Sequence, residues 1–112
     1  MLIYKICDAA AWRAAEADGV FQGAAIDRAD GYIHFSEAHQ VAETAAKHFA
    51  GQDNLVLVAV DADRLGAGLR REPARGGALF PHLYGPLPLS TVVWVKPMPR
   101  GDDGRHALPA LR

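Results

Sequence analysis

The stretch LVLVAV, Leu55 to Val60, is an unbroken apolar run rich in β-branched residues. A strand with no polar alternation is buried on both faces, so this segment is expected at the centre of a sheet, covered above and below. Upstream, LIYKIC from Leu2 to Cys7 alternates as a strand, with Leu2, Tyr4 and Ile6 on one side and Ile3, Lys5 and Cys7 on the other. Asp8 suits the N-cap of a short helix over Ala9 to Ala17, where Trp12, Ala15 and Glu16 have helical spacing, and Gly19 stops it. Val20 to Asp30, with Gly23 and several small residues, reads as a loop leading to a strand over Tyr32 to Phe35. Ser36 then caps a second helix in which Ala38, Val41, Ala42, Ala45, Ala46 and Phe49 recur every three or four positions, ending at Gly51.

Downstream of the central run, Leu69 to Glu72 reads as a short strand. Pro73 to Ala78 (PARGGA) reads as a mobile loop able to close over a ligand, with Arg75 as its charge. Leu79 to Tyr84 and Thr91 to Lys96 are the last strands. Apolar periodicity is lost from Pro97 onward. The chain is therefore read as one domain over residues 1–112 with an irregular tail over 98–112.

Composition narrows the function classes. Twelve Lys and Arg against 13 Asp and Glu leave a formal charge of -1, so no whole-domain field draws the protein to nucleic acid or to an acidic membrane. The basic residues from Arg64 to Arg75 could still form a local anion patch. A single cysteine, Cys7, excludes an internal disulfide. With no signal peptide or long apolar run, it points to a reduced, cytoplasmic setting. Cys7 ends an apolar run and reads as a small buried hydrophobe.

Two polar-aromatic clusters carry the functional reading: GYIHFSE, Gly31 to Glu37, and FPHLYGPL, Phe80 to Leu87. Each sets a histidine inside an apolar strand with hydroxyl residues two positions away, and residues two apart share a face. Tyr32, His34 and Ser36 are thus expected on one face, and His82 and Tyr84 on another. The clusters read as two walls of one polar pocket, with His34 and His82 close together. Helix amides beside Ser36 would favour an anionic ligand. Taken singly, each residue also has an ordinary reading: a buried histidine bonded to backbone, a serine cap, a tyrosine closing a strand end. Glu72 beside Arg70 and Arg71 reads either as a surface ion pair or as a carboxylate in the pocket. A three-ligand metal set of His34, His82 and Glu72 is feasible, yet no HxH or HExxH spacing supports it. P-loop and GxGxxG signatures are absent. His39, His48 and His106 read as solvated, and Trp12 and Trp94 as core.

IYKI near the start, then DGYIHFSEAHQV, LRREP and LFPHLYGPLP, in this order and spacing, resemble the bacterial family known as domain of unknown function 952. The resemblance covers nearly the whole chain up to about Pro97. That family is similar in fold to the ADP-ribosyltransferases, which split NAD in a cleft between two small antiparallel sheets. The resemblance implies an α+β fold of compact mixed or antiparallel sheets with two short helices. It also implies a cleft lined by Lys5, His34, Ser36, Glu72, His82 and Tyr84. Lys5 stands where the family often has a histidine and where transferases of this fold hold the adenosine ribose. By the same resemblance Glu72 and His34 are the catalytic pair: Glu72 stabilises an oxocarbenium-like centre while His34 places the ribose. Arg71, Ser36, Lys5, His82 and Tyr84 bind the ligand. The expected function is glycosyl transfer or hydrolysis on NAD or a related nucleotide, with NAD as substrate. The alternative is a non-catalytic module that binds a nucleotide or ADP-ribose. Expected partners are an anionic nucleotide and neither nucleic acid nor membrane.

Overall fold

In the computed structural model, which describes residues 1–111 apart from the side chain of Arg75, the chain runs as follows. The first part is β1 (Leu2–Asp8), α1 (Ala9–Asp18), β2 (Val20–Phe21), α2 (Ala25–Asp30), β3 (Ile33–His34) and α3 (Val41–His48). The second part carries β4 (Leu55–Asp61), β5 (Leu69–Pro73), β6 (Leu79–Leu83), β7 (Leu87–Pro88) and β8 (Val92–Pro97), with short 3-10 turns between them. All strand pairing is antiparallel and falls into three sheets: β1-β4-β8, β2-β7 and β3-β6-β5.

β4 is the middle strand of the first sheet, as its unbroken apolar run requires. Its two faces enter two cores. Leu55, Leu57 and Ala59 pack with Tyr4, Ile6, Val41, Ala45 and Met98. Val58 and Val60 pack with Ile3, Cys7, Trp12, Phe21, Ile33, Phe35, Leu83 and Leu87. The expected alternation of β1 is thus the observed one, and the first sheet is a middle layer between α3 on one side and α1 with the β2-β7 and β3-β6-β5 sheets on the other. Burying a side chain such as Leu57 fully contributes about 2 kcal/mol, so these two cores supply most of the driving force.

Local signals explain the ends of α1. The Asp8 side chain accepts from the Ala11 N–H at 3.1 Å, and Gly19 closes the helix at φ +81°, donating to the Ala15 carbonyl.

Elsewhere the structure corrects the expectations. The supposed loop over Val20 to Asp30 contains strand β2 and helix α2, giving three helices instead of two. The second expected helix starts later: Ala38–Gln40 is a 3-10 turn, and α3 begins only at Val41. Glu37 and Gln40 anchor that turn. Gln40 Oε1 accepts from the Glu37 N–H at 2.9 Å, while Gln40 Nε2 donates to the Leu79 carbonyl of β6 at 2.9 Å.

The PARGGA loop is a tight hairpin connection between β5 and β6, with Ala74 N–H on the Ala78 carbonyl and Gly77 N–H on that of Ala74, both 2.9 Å. The expected charge of Arg75 lies outside the described residues, as does the terminal Arg112. Most of the tail is docked on the body of the protein. Arg100 reaches Asp53 with two nitrogens, at 2.8 and 3.1 Å, and His106 Nε2 lies 2.7 Å from the Gln52 carbonyl. Leu108 and Leu111 pack against the α3 side of the core.

Candidate functional site

Lys5 sits in the middle of β1 on the face shared with Ile3 and Cys7, so its ammonium is carried into the protein; the residue is only 4% exposed. A buried charge needs a partner, and Asp27 supplies it with its oxygens 2.9 Å from Lys5 Nζ. Asp27 is the third residue of α2. From there Oδ2 accepts the Ala24 N–H at 2.7 Å, while Oδ1 accepts the His34 N–H at 3.1 Å and faces His34 Nδ1 at 2.5 Å. The close approach depends on Gly23, at φ +105°, where a Cβ would lie 2.9 Å from Asp27 Cβ. Burial pushes the Asp27 carboxyl upward, but hydrogen bonds from His34 and Lys5 outweigh it and hold the group at about 2. Lys5 is therefore committed inside the fold and does not line a cleft as a ligand contact.

β3 and β6 place His34 directly opposite His82, with ring centroids 5.7 Å apart. The expected proximity of the two histidines is observed. Tyr32 lies against both rings, stacked on His82 at 4.1 Å and tilted against His34 at 4.7 Å. His34 Nε2 approaches Asp30 Oδ2 at 2.9 Å, so both of its ring nitrogens face carboxylates.

Across the β5–β6 pair Glu72 stands diagonal to His82, since Arg70 is directly opposite His82 and Glu72 opposite Phe80. Glu72 Oε1 meets His82 Nδ1 at 2.9 Å and accepts the Tyr84 hydroxyl at 2.7 Å. Of its two sequence readings, the surface pair with Arg70 or Arg71 is not the one formed. Tyr84's hydrogen bond, then that of His82, holds the Glu72 carboxyl below the usual range, while the same bond to Glu72 pushes the Tyr84 hydroxyl up. The geometry is a carboxylate that is ionised at neutral pH, held between a hydroxyl donor at the surface and the buried ring of His82. Arg70 lies over the Tyr84 ring at 5.3 Å.

The remaining expected ligands go elsewhere. Ser36 is not a helix cap: its backbone bridges to Tyr4, with N–H to O distances of 2.8 and 2.9 Å, and its hydroxyl lies 3.0 Å from that of Thr44. It is buried, and only a short 3-10 turn capped from Glu37 follows it, with α3 starting at Val41, so the α-helical amide site expected beside Ser36 for an anion is not formed. Phe35 N–H meets the Pro81 carbonyl of the β3-β6-β5 sheet one residue earlier. Phe35 and Ser36 are thus where the chain steps from one sheet to the other. Arg71 Nε is paired with Glu37 Oε2 at 2.7 Å, which ties the LRREP strand to the IHFSE segment. Cys7 is buried and its thiol is pushed up by burial to about 11, inert as a nucleophile. Among the described residues no group of three or more His, Cys, Asp and Glu side chains could hold a metal ion.

Two residues of the cluster escape the sequence reading, Asp27 and Asp30, while Tyr32 enters it as part of the pocket wall without a ligand role. A signal for Asp27 existed, because a lysine on the core face of β1 demands a buried carboxylate. Tyr32 also lines a cleft of about 290 Å³ with Gln22, Asp27, Arg28, Gly31, Ile33, Gly85 and Pro86. Among the described residues no helix is long and apolar enough to cross a membrane.

Comparison with known proteins places this arrangement. The crystal structure of protein CC0527 from Caulobacter crescentus has a TM-score of 0.91 at 52% sequence identity, over 96% of this chain and 94% of that one. The solution NMR structure of the same protein gives 0.84 at 54% identity, over 93% and 90%. No curated protein matches the chain. The profile of the family described as "Protein of unknown function (DUF952)" matches residues 6–95, a span that holds both histidine strands, Asp27 and Glu72, and the chain belongs to that family.

Proposed function

We propose that the cluster around Tyr32, His34, Glu72, His82 and Tyr84 cleaves or transfers the glycosyl bond of NAD or a related nucleotide, on an ADP-ribosyltransferase-like scaffold. The observation that carries the reading is Glu72: its carboxylate is hydrogen-bonded to His82 and Tyr84, while Arg71 is paired with Glu37. In hydrolysis the bond from the ribose C1′ to the nicotinamide nitrogen breaks and its electron pair leaves with nicotinamide. Positive charge develops at C1′, water oxygen bonds there, and the water's proton passes to solvent.

An ionised carboxylate fixed by two donors is pre-organised to stabilise that charge, because it need not reorient as the charge appears. Tyr84 and His82 hold Glu72 in place, and Tyr32 offers a ring for the sugar or base. His34, held between Asp27 and Asp30, positions the floor of the site and can reach a ribose hydroxyl when the exposed Asp30 side chain moves aside.

The test is nicotinamide release from NAD, with wild type and Glu72→Gln compared. Turnover is expected to fall on the order of 100-fold in Glu72→Gln while affinity changes little, since the substitution keeps shape and removes charge. No release by the wild type would leave the non-catalytic nucleotide-binding module as the better account.

A further inference from the structure

The cleft beside Tyr32 has a wall that the catalytic reading does not use. We infer that it is a phosphate subsite, in which Arg28 supplies the charge and Tyr32 joins the subsite to the histidine pair. The inference deepens the reading above and rests on it for the identity of the nucleotide.

Charge points there first. Arg71, the arginine expected from sequence to hold a phosphate, is engaged by Glu37. Arg28 lines the cleft, is exposed, and has no ion-pair partner among the described residues. A guanidinium fork suits two phosphate oxygens at once.

The carboxylate that lines the same cleft does not repel an anion as a free one would. Asp27 is neutralised by Lys5, and its oxygens are occupied by donors from Lys5, His34 and Ala24. Asp30, the other acidic group nearby, is held on His34 Nε2. Gln22 adds an amide to the cleft wall.

Size and position agree. At about 290 Å³ the cleft lies at the lower edge of the usual range for small-molecule sites. That is room for a ribose phosphate and not for a whole dinucleotide. Because Tyr32 touches His82, His34 and Tyr84 by ring contacts, a nucleotide with its phosphate at Arg28 would pass directly over the ring toward Glu72.

Calorimetric titration of the full chain with ADP-ribose, inorganic pyrophosphate and adenosine decides the matter. ADP-ribose and pyrophosphate should both bind, and Arg28→Ala should weaken both on the order of 10- to 100-fold. Arg71→Ala should leave them unchanged, and Arg28→Lys should recover part of the loss. Since Arg28 is exposed, the variant's melting temperature should match wild type, which separates lost binding from lost folding. Wild type that binds neither phosphate probe, or Arg28→Ala with unchanged affinity for ADP-ribose, overturns the subsite. So does adenosine binding as tightly as ADP-ribose. Nicotinamide release without any dependence on Arg28 would overturn the subsite alone. Arg28-dependent binding with no release by wild type would keep the subsite and end the glycosyl-cleavage reading.

Discussion

Two carboxylate–histidine pairs face each other across β3 and β6, and they differ in nearly every physical respect. Asp27 is 1% exposed, shares a buried ion pair with Lys5 and takes hydrogen bonds from two side chains and two backbone amides. Glu72 has a side chain 32% exposed and uses a single oxygen for both of its partners. Saturation and burial make Asp27 a structural post: it ties β1, α2 and β3 together and fixes His34 in orientation. Glu72, partly exposed, keeps an oxygen with no partner among the described residues. The difference teaches where chemistry can be placed. A buried, fully bonded carboxylate has nothing left to offer a substrate, whereas a half-exposed one held by two donors is both oriented and accessible.

The comparison breaks most visibly on the buried side. Asp27→Ala would leave Lys5 as an unpaired buried charge and orphan the Ala24 and His34 amides. Removing one member of such a pair costs about 3–5 kcal/mol, so the unfolding free energy from chemical denaturation should fall by that amount, read as a lower midpoint at unchanged slope. The double variant Lys5→Met with Asp27→Leu removes both charges, and it should be markedly more stable than Asp27→Ala alone. If the double variant is the worse of the two, the pair does more than neutralise a charge, and the post description is wrong.

Acid titration of stability is the next largest effect. The folded Asp27 carboxyl lies at about 2 against 3.8 for a free aspartate side chain, so its folded value is depressed. Its contribution is fully present above about pH 5, shrinks as pH falls past the unfolded value of 3.8 and is lost as pH falls through about 2. The shift corresponds to about 2 kcal/mol. Stability of wild type between about pH 5 and about pH 2 should therefore fall more steeply than that of the Lys5→Met, Asp27→Leu variant. Parallel curves would mean that other carboxylates dominate acid unfolding.

These contrasts also explain what could be read from the chain beforehand. The central strand, the two faces of β1 and both ends of α1 were legible because burial periodicity and caps are local properties of residues such as Val58, Asp8 and Gly19. The approach of His34 to His82 was legible because alternation places each polar side chain in an otherwise apolar strand. α2 was not: it has no apolar stripe, and its Ile26 is 60% exposed. It stands on Asp27's hydrogen bonds and on Gly31, which ends it at φ +89°. The Lys5–Asp27 pair spans 22 residues, so no local pattern joins its members, although the lysine announced the need. Ser36 misled because a serine before a helical pattern reads as a cap, and here sheet pairing with Tyr4 claims its backbone first.

The smallest effect tests the exposed side. Tyr84 donates to Glu72 at 2.7 Å, and this bond is the first cause of the lowered Glu72 carboxyl. Tyr84→Phe removes the donor and keeps the ring that Arg70 and Tyr32 touch. The fold should be undisturbed, because Tyr84 is 41% exposed and water can replace the hydroxyl. What should change is the titration of Glu72: its carboxyl should move up toward the ordinary glutamate range, read from side-chain carbon shifts by NMR. His82 remains as the second donor, so the move should be partial. A still larger rise is expected when His82→Ala is added. Unmoved Glu72 titration in Tyr84→Phe would show that the hydroxyl does not hold the carboxylate in solution. The exposed pair would then lack the pre-organisation that sets it apart from a common surface glutamate.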